Sequence, residues 1–203
     1  MTLFQLMMLG ASAYFAFKIY EHIQTLEEPK NRGVNNTSKP TKQTTEAFSP
    51  FEANELLEKA DEAFEQNDEV KALAFLQEAS VKEDSNNPDT LYKIGYILQN
   101  QDNYDDALTY YKKALELDKN NEYIRNSLAS IYRHNKEYVS AQMHLRESLA
   151  INDENAVTYY NYGNLLVDMD SKEEAINMYK KALELDPEFE QAKEELEKLN
   201  ETK

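Results

Sequence analysis

Three histidines and no cysteine are the residues from which metal or nucleophilic chemistry would have to be built in this 203-residue chain. His22 stands far from the other two, and His134 and His144 flank a turn. Paired ligands on one helix face need closer spacing, and no HExxH run occurs. Without cysteine, thiolate metal sites, disulfides and Cys nucleophiles are excluded. The 4 glycines form no GxxxxGK[ST], GxGxxG or GxSxG arrangement, so phosphate-cradling loops and nucleophile elbows are absent. Paired carboxylates remain, at Asp105-Asp106 and Glu173-Glu174. Each pair opens a helical pattern, where negative charge complements the helix dipole. The expectation is a protein that is not an enzyme and has no catalytic, metal-binding or cofactor-binding residues.

Charge narrows the partner. The chain has 38 Asp+Glu against 22 Lys+Arg and a net charge of −16. Only five of the basic and four of the acidic residues precede residue 51, so the remainder carries −17. Such a field repels a polyphosphate, whose binding depends on Lys and Arg displacing counterions, and nucleic acid is excluded as a partner. A basic protein surface fits, and so does plain solubility.

The elements that carry these residues are helices. Glycine and proline number 4 and 5, while Leu, Ala, Glu, Lys and Tyr abound and β-branched residues are sparse. The class is all-α. Self-similarity then fixes the arrangement. KKALELD stands at Lys112–Asp118 and again at Lys180–Asp186, an offset of twice 34, with a degenerate copy between. In register, Gly95, Ala129 and Gly163 coincide, as do Ala107, Ala141 and Ala175, then Tyr111, Leu145 and Tyr179, then Ala114, Ser148 and Ala182. Small residues recur where two helices cross closely. Larger ones such as Leu91, Ile94 and Leu98 follow helical spacing. Turn residues separate the helices at 100–103, 134–136 and 169–171 within hairpins, and at 118–121, 152–155 and Asp186-Pro187 between them.

This pattern resembles the tetratricopeptide-repeat (TPR) family: a large residue, L-G, Y, then A, F/Y, A and P over 34 residues. The resemblance implies an all-α solenoid of about four helix-turn-helix repeats, at 53–87, 88–121, 122–155 and 156–189, within a domain over 51–203. The first copy is the least regular, being one residue too long before Pro88 and lacking the glycine. A capping helix at 190–200 is expected, because Phe189, Ala192, Leu196 and Leu199 form one apolar stripe that can close the last hairpin's open edge.

The resemblance also implies a peptide-binding groove on the first helices of the repeats. Transfer by register nominates Tyr92, Tyr96 and Gln99, then Tyr123, Asn126, Ser130 and Arg133 with His134, then Tyr160 and Asn164 with Val167. Tyr offers a flat face with a hydroxyl handle, and Asn can pair both backbone groups of an extended segment. The Lys/Asn/Arg clamp with which some family members hold a chaperone's C-terminal carboxylate is not matched. Its positions read Leu57, Asp61, Lys93, Tyr123 and Ser127 in one frame, and Tyr92, Tyr96, Ser127, Val157 and Asn161 in the next.

Residues 1–25 are expected to form a transmembrane anchor helix. Leu3–Phe17 hold no charge, and the apolar stretch continues past Lys18 to Ile23, about the length that spans a bilayer core. A cleavable signal peptide is the alternative reading, since Ala11-Ser12-Ala13 has the form of a cleavage site. No cation precedes the span, Lys18 lies near its C-terminal end, and Lys30 and Arg32 follow it, which places the repeats on the cytoplasmic side. Residues 26–50, rich in Asn, Thr, Ser, Lys and Pro, have almost nothing to bury and read as a flexible polar linker. The function expected is a membrane-tethered scaffold that binds protein or peptide partners. An exported periplasmic protein aiding envelope or pilus assembly is the alternative.

Overall fold

Helix formers with apolar residues at three- and four-residue spacing cannot bury a stripe alone, so they fold in antiparallel pairs. The computed structural model describes residues 50–84 and 86–201. Among these it shows nine helices and no strand: α1 (Ala53–Glu65), α2 (Glu69–Lys82), α3 (Pro88–Asn100), α4 (Tyr104–Leu117), α5 (Glu122–His134), α6 (Tyr138–Ile151), α7 (Ala156–Asp168), α8 (Lys172–Leu185) and α9 (Glu190–Glu201). The helices α1–α2, α3–α4, α5–α6 and α7–α8 form four hairpins. Each packs on the next, and α9 packs on α8. The expected all-α solenoid is observed. The anchor expected over 1–25, and the linker save Pro50, lie outside the described residues. No described helix is long and apolar enough to cross a membrane.

Local chemistry sets the helix ends. Asn87, Asn121 and Asn155 are the N-caps of α3, α5 and α7, each side-chain oxygen accepting from two backbone N–H groups of the first turn. Each hairpin reverses through one residue in left-handed backbone: Asn67, Asp102, Lys136 and Asp170, with φ of 56, 60, 62 and 60°. The next residue's N–H reaches back five positions, as from Asn103 to the Leu98 carbonyl at 2.9 Å, which closes the helix end without glycine. Five residues separate α2 from α3, where four separate α4 from α5 and α6 from α7. The acidic pairs Asp105-Asp106 and Glu173-Glu174 occupy the first turns of α4 and α8.

The helix crossings explain the repeated small residues. A Cβ placed on Gly95 would stand 2.8 Å from the Tyr111 ring, and one on Gly163 2.7 Å from Cδ1 of Tyr179. Gly therefore permits a tyrosine to lie flat across the partner helix. Where the small residue is Ala129, the opposing residue is the shorter Leu145, and both are buried. The helix α9 covers the last hairpin: Ala192 is fully buried, Leu196 and Leu199 pack on the cluster containing Leu166 and Tyr179, and the Phe189 ring lies 4.9 Å from that of Tyr160.

Candidate functional site

Three first helices, α3, α5 and α7, lie side by side, and the residues that share their common face follow from helical spacing. On α5 these are Tyr123, Asn126, Ser127 and Ser130. With Tyr92, Tyr96, Gln99 and Asn100 of α3 and Val157 and Asn161 of α7, they line a groove of about 230 Å³. It continues into a second recess of about 570 Å³ at the hairpin turns, which shares Gln99, Asn100 and Ser130 and adds Arg133, His134, Tyr138 and Asp168. Six of the eleven nominated residues thus surround one groove, and Arg133 and His134 lie at its far end.

Their individual environments differ. Tyr96 and Tyr123 are 46% and 60% exposed, so their rings, with the exposed Val157, are the apolar surface the groove offers. Tyr92 is half-buried, its ring 5.6 Å from that of Tyr111. Gln99 accepts the Tyr111 hydroxyl at 3.0 Å and donates to Ser130 Oγ at 3.3 Å. Burial pushes the Tyr111 phenol well above its usual range, against an opposing hydrogen bond from Ser127, and it remains a neutral donor. Arg133 pairs with Asp168 at 3.0 Å and Lys93 with Asp61 at 2.5 Å, so the charges flanking the groove are matched across neighbouring repeats. In a domain that carries −17, the groove itself is close to neutral.

Asn126 is 6% exposed. Its amide donates to the Glu122 carbonyl at 3.0 Å, Ser148 Oγ at 3.1 Å and Thr158 Oγ1 at 2.8 Å, and its oxygen accepts from Asn161 at 3.3 Å. The residue forms the groove floor, and its donors serve the joint between the third and fourth hairpins. Tyr160 and Asn164 lie elsewhere. The Tyr160 ring packs against Tyr179 and Phe189, and Asn164 accepts the Tyr179 hydroxyl at 2.8 Å. Each first helix has two flanks, and on α7 these two residues occupy the one that faces α8 and α9. The flank toward α5 presents Val157 and Asn161, which the sequence reading met only as unmatched clamp positions. Their signal was available: both stand 34 residues after Tyr123 and Ser127.

Among the described residues no three His, Cys, Asp or Glu side chains converge as metal ligands. The Tyr104 ring stacks on His134 with centroids 3.9 Å apart, and His144 is buried beneath Tyr132. What the groove can do chemically is hold a segment of chain against two tyrosine faces, with amides and hydroxyls beside them.

Comparison with known proteins agrees with this architecture. A tetratricopeptide-repeat family model matches residues 88–121, and a second tetratricopeptide-repeat model matches residues 122–188. RNA polymerase II-associated protein 3 of Rattus norvegicus is 24% identical over 186 residues, 87% of this chain and 28% of that protein. The chain therefore spans little more than a quarter of that relative's length. The structure of MamA 41-end from Desulfovibrio magneticus RS-1 superposes with a TM-score of 0.64 at 26% identity, covering 73% of this chain and 83% of that one. The first TPR of Spaghetti (RPAP3), solved bound to the HSP90 peptide SRMEEVD, superposes with a TM-score of 0.53 at 27% identity, covering 56% and 90%.

Proposed function

Residues 88–188 belong to the tetratricopeptide-repeat family, and from that premise we propose that the chain is a non-catalytic scaffold whose first-helix groove holds an extended segment of a partner protein. The observation that carries this reading is the groove itself. Tyr96 and Tyr123 face it from adjacent helices, with Gln99, Ser127, Ser130 and Asn161 beside them. Aromatic faces supply contact area at low entropy cost, and amides and hydroxyls pair a peptide backbone. The relative bound to the HSP90 peptide is a protein of this fold that holds a peptide. An acidic C-terminal tail suits this groove poorly, because Tyr92, Tyr96, Ser127, Val157 and Asn161 stand where the carboxylate clamp has its Lys, Asn and Arg, and none of them carries a positive charge. Lys93, the one cation in the other frame, is already paired with Asp61.

The scaffold is tethered to a membrane by residues 1–25 and displaced from it by the linker, with the repeats on the cytoplasmic side. The uncharged run Leu3–Phe17 and the following cations support this part of the reading. Because the chain has no cysteine, Glu173→Cys gives a single reporter thiol. In intact cells it should resist a membrane-impermeant thiol reagent; ready labelling would place the repeats outside, as an exported protein requires. The groove is tested by crosslinking and recovery of partners with full-length protein from membranes. Tyr96→Ala with Tyr123→Ala should lower recovery of the wild-type partner several-fold while helical circular dichroism stays unchanged. Undiminished recovery would move binding off this face.

A further inference from the structure

The opposite flank of α5 carries a second cavity, of about 390 Å³, built from residues that the groove does not use. Leu128 and Tyr132 of α5 and Leu115 of α4 give it an apolar lining. Lys112, Lys119 and Arg125 stand around it, a gathering of three cations in a domain of net charge −17. The acidic groups nearby are Glu116, on the cavity's edge, and Glu147, which pairs with Arg125.

The wall has features that packing alone does not explain. The rings of Tyr132 and His144 are nearly parallel, 8° apart with centroids at 5.4 Å, and Lys112 Nζ lies 5.6 Å from the Tyr132 centroid. His144 is 7% exposed, and its Nδ1 is buried without a hydrogen-bond partner in the protein. Arg125 spends one terminal nitrogen on Glu147 and the other on the Lys119 carbonyl at 2.7 Å, which leaves its Nε buried and unpaired. Two buried polar nitrogens without partners, on residues of one cavity, are unusual, because such groups are normally satisfied.

We propose that this cavity takes one aromatic or aliphatic side chain of an acidic polypeptide segment, whose flanking carboxylates pair with Lys112 and Lys119. The volume and lining suit a single large apolar anchor, the kind of group around which interface energy concentrates. Charge selects the rest of the segment. An acidic chain is repelled by most of this surface, so a local cluster of cations is where it can settle, and the surrounding negative field disfavours other registers. The groove and this cavity occupy different flanks of α5, with Tyr123, Asn126, Ser127 and Ser130 on one and Arg125, Leu128 and Tyr132 on the other. A scaffold with both can hold two polypeptides at once, and the proposal stands or falls independently of the groove.

The test uses full-length protein, isotope-labelled for amide NMR, titrated with acetylated and amidated pentapeptides EEFEE, EEAEE and KKFKK. The first should shift amides in 112–119 and 125–132 and at His144, and the second should bind at least about tenfold more weakly. Lys112→Glu with Lys119→Glu, both exposed positions, should abolish the EEFEE shifts with circular dichroism unchanged. Tyr96→Ala should leave them intact. EEFEE shifts centred on Tyr96 and Tyr123, equal binding of EEFEE and EEAEE, preference for KKFKK, or no shift at millimolar peptide would each overturn the proposal. Shifts of the same amides on raising protein concentration alone would reassign the cavity to a second copy of the chain.

Discussion

The second and fourth hairpins solve the same helix crossing as the third, by different means. In the former, Gly95 and Gly163 let Tyr111 and Tyr179 lie across the partner helix, and Tyr92 and Tyr160 pack at 5.6 and 6.0 Å on those rings. Each buried tyrosine then hands its hydroxyl to a residue of the first helix, Gln99 or Asn164. In the third hairpin the equivalents are Ala129, Leu145 and Asn126. The space vacated by two aromatic rings is filled by a polar network in which Asn126, Ser148 and Thr158 bond one another. The apolar core reflects this. One cluster runs from Ala60 to Ile131 and takes in Ile124, Leu128 and Ile131 of α5, whereas Ala129, Ala141 and Leu145 join Leu165 in a smaller separate cluster and Leu166, Ala175 and Tyr179 form another. The difference teaches that these positions are coupled. Gly requires Tyr opposite and a ring beside it, whereas Ala accepts Leu and leaves room that hydrogen bonds must justify.

The comparison can be broken most sharply at Gly163. Leucine there would overlap the Tyr179 ring, which is fully buried and has no solvent to move into. A loss of about 3 kcal/mol or more in denaturant unfolding is expected, with α7 to α9 melting first. An alanine-like tolerance would contradict the Gly–Tyr pairing. Next, Asn126→Ala removes the centre of the polar joint, strands part of the hydrogen-bonding capacity of Ser148 and Thr158, and leaves a cavity. It should cost about 2 kcal/mol by the same measurement. A negligible cost would mean that the joint contributes nothing beyond space-filling.

His144, found where the fourth hairpin has Met178, gives a pH-dependent test. Burial lowers its pKa from 6.5, with Glu147 opposing and Arg125 and Lys112 reinforcing the shift. Below that value the unfolded chain takes up a proton that the folded state refuses, so His144 costs stability as pH falls and costs nothing well above 6.5. The stability advantage of His144→Met should therefore widen between about pH 8 and pH 5. A constant difference would place the imidazole in water. The smallest effect is expected at the turn. Lys136 holds a φ of 62° that a side chain resists, and Lys136→Gly should raise stability by about 1 kcal/mol, seen as a higher denaturant midpoint.

Much of this was legible in the sequence, because it repeats. The 34-residue register located the crossings at Gly95, Ala129 and Gly163, and the stripe from Phe189 to Leu199 marked the closing helix. The Asn caps at 87, 121 and 155 carry the same period, yet their composition alone reads only as turn. The buried role of Asn126 was not legible. Asparagine normally seeks the surface, and its partners Ser148 and Thr158 lie on other helices, 22 and 32 residues away. Register likewise placed Tyr160 and Asn164 by analogy with Tyr92 and Tyr96, but the end of the array gives them α8 and α9 as neighbours. Sequence periodicity reports which residues are equivalent, and only the packed structure reports which flank has a next repeat beside it.

The central claim, that the first-helix face is where a partner segment lies, is tested most directly by photocrosslinking from defined positions. A benzophenone amino acid placed at Tyr96 or Tyr123 of the full-length protein, and at Val139, which is 85% exposed on a second helix, samples both faces. The account predicts one discrete crosslinked partner shared by positions 96 and 123 and absent from 139. The same partner captured from Val139, with none from Tyr96 and Tyr123, would contradict it.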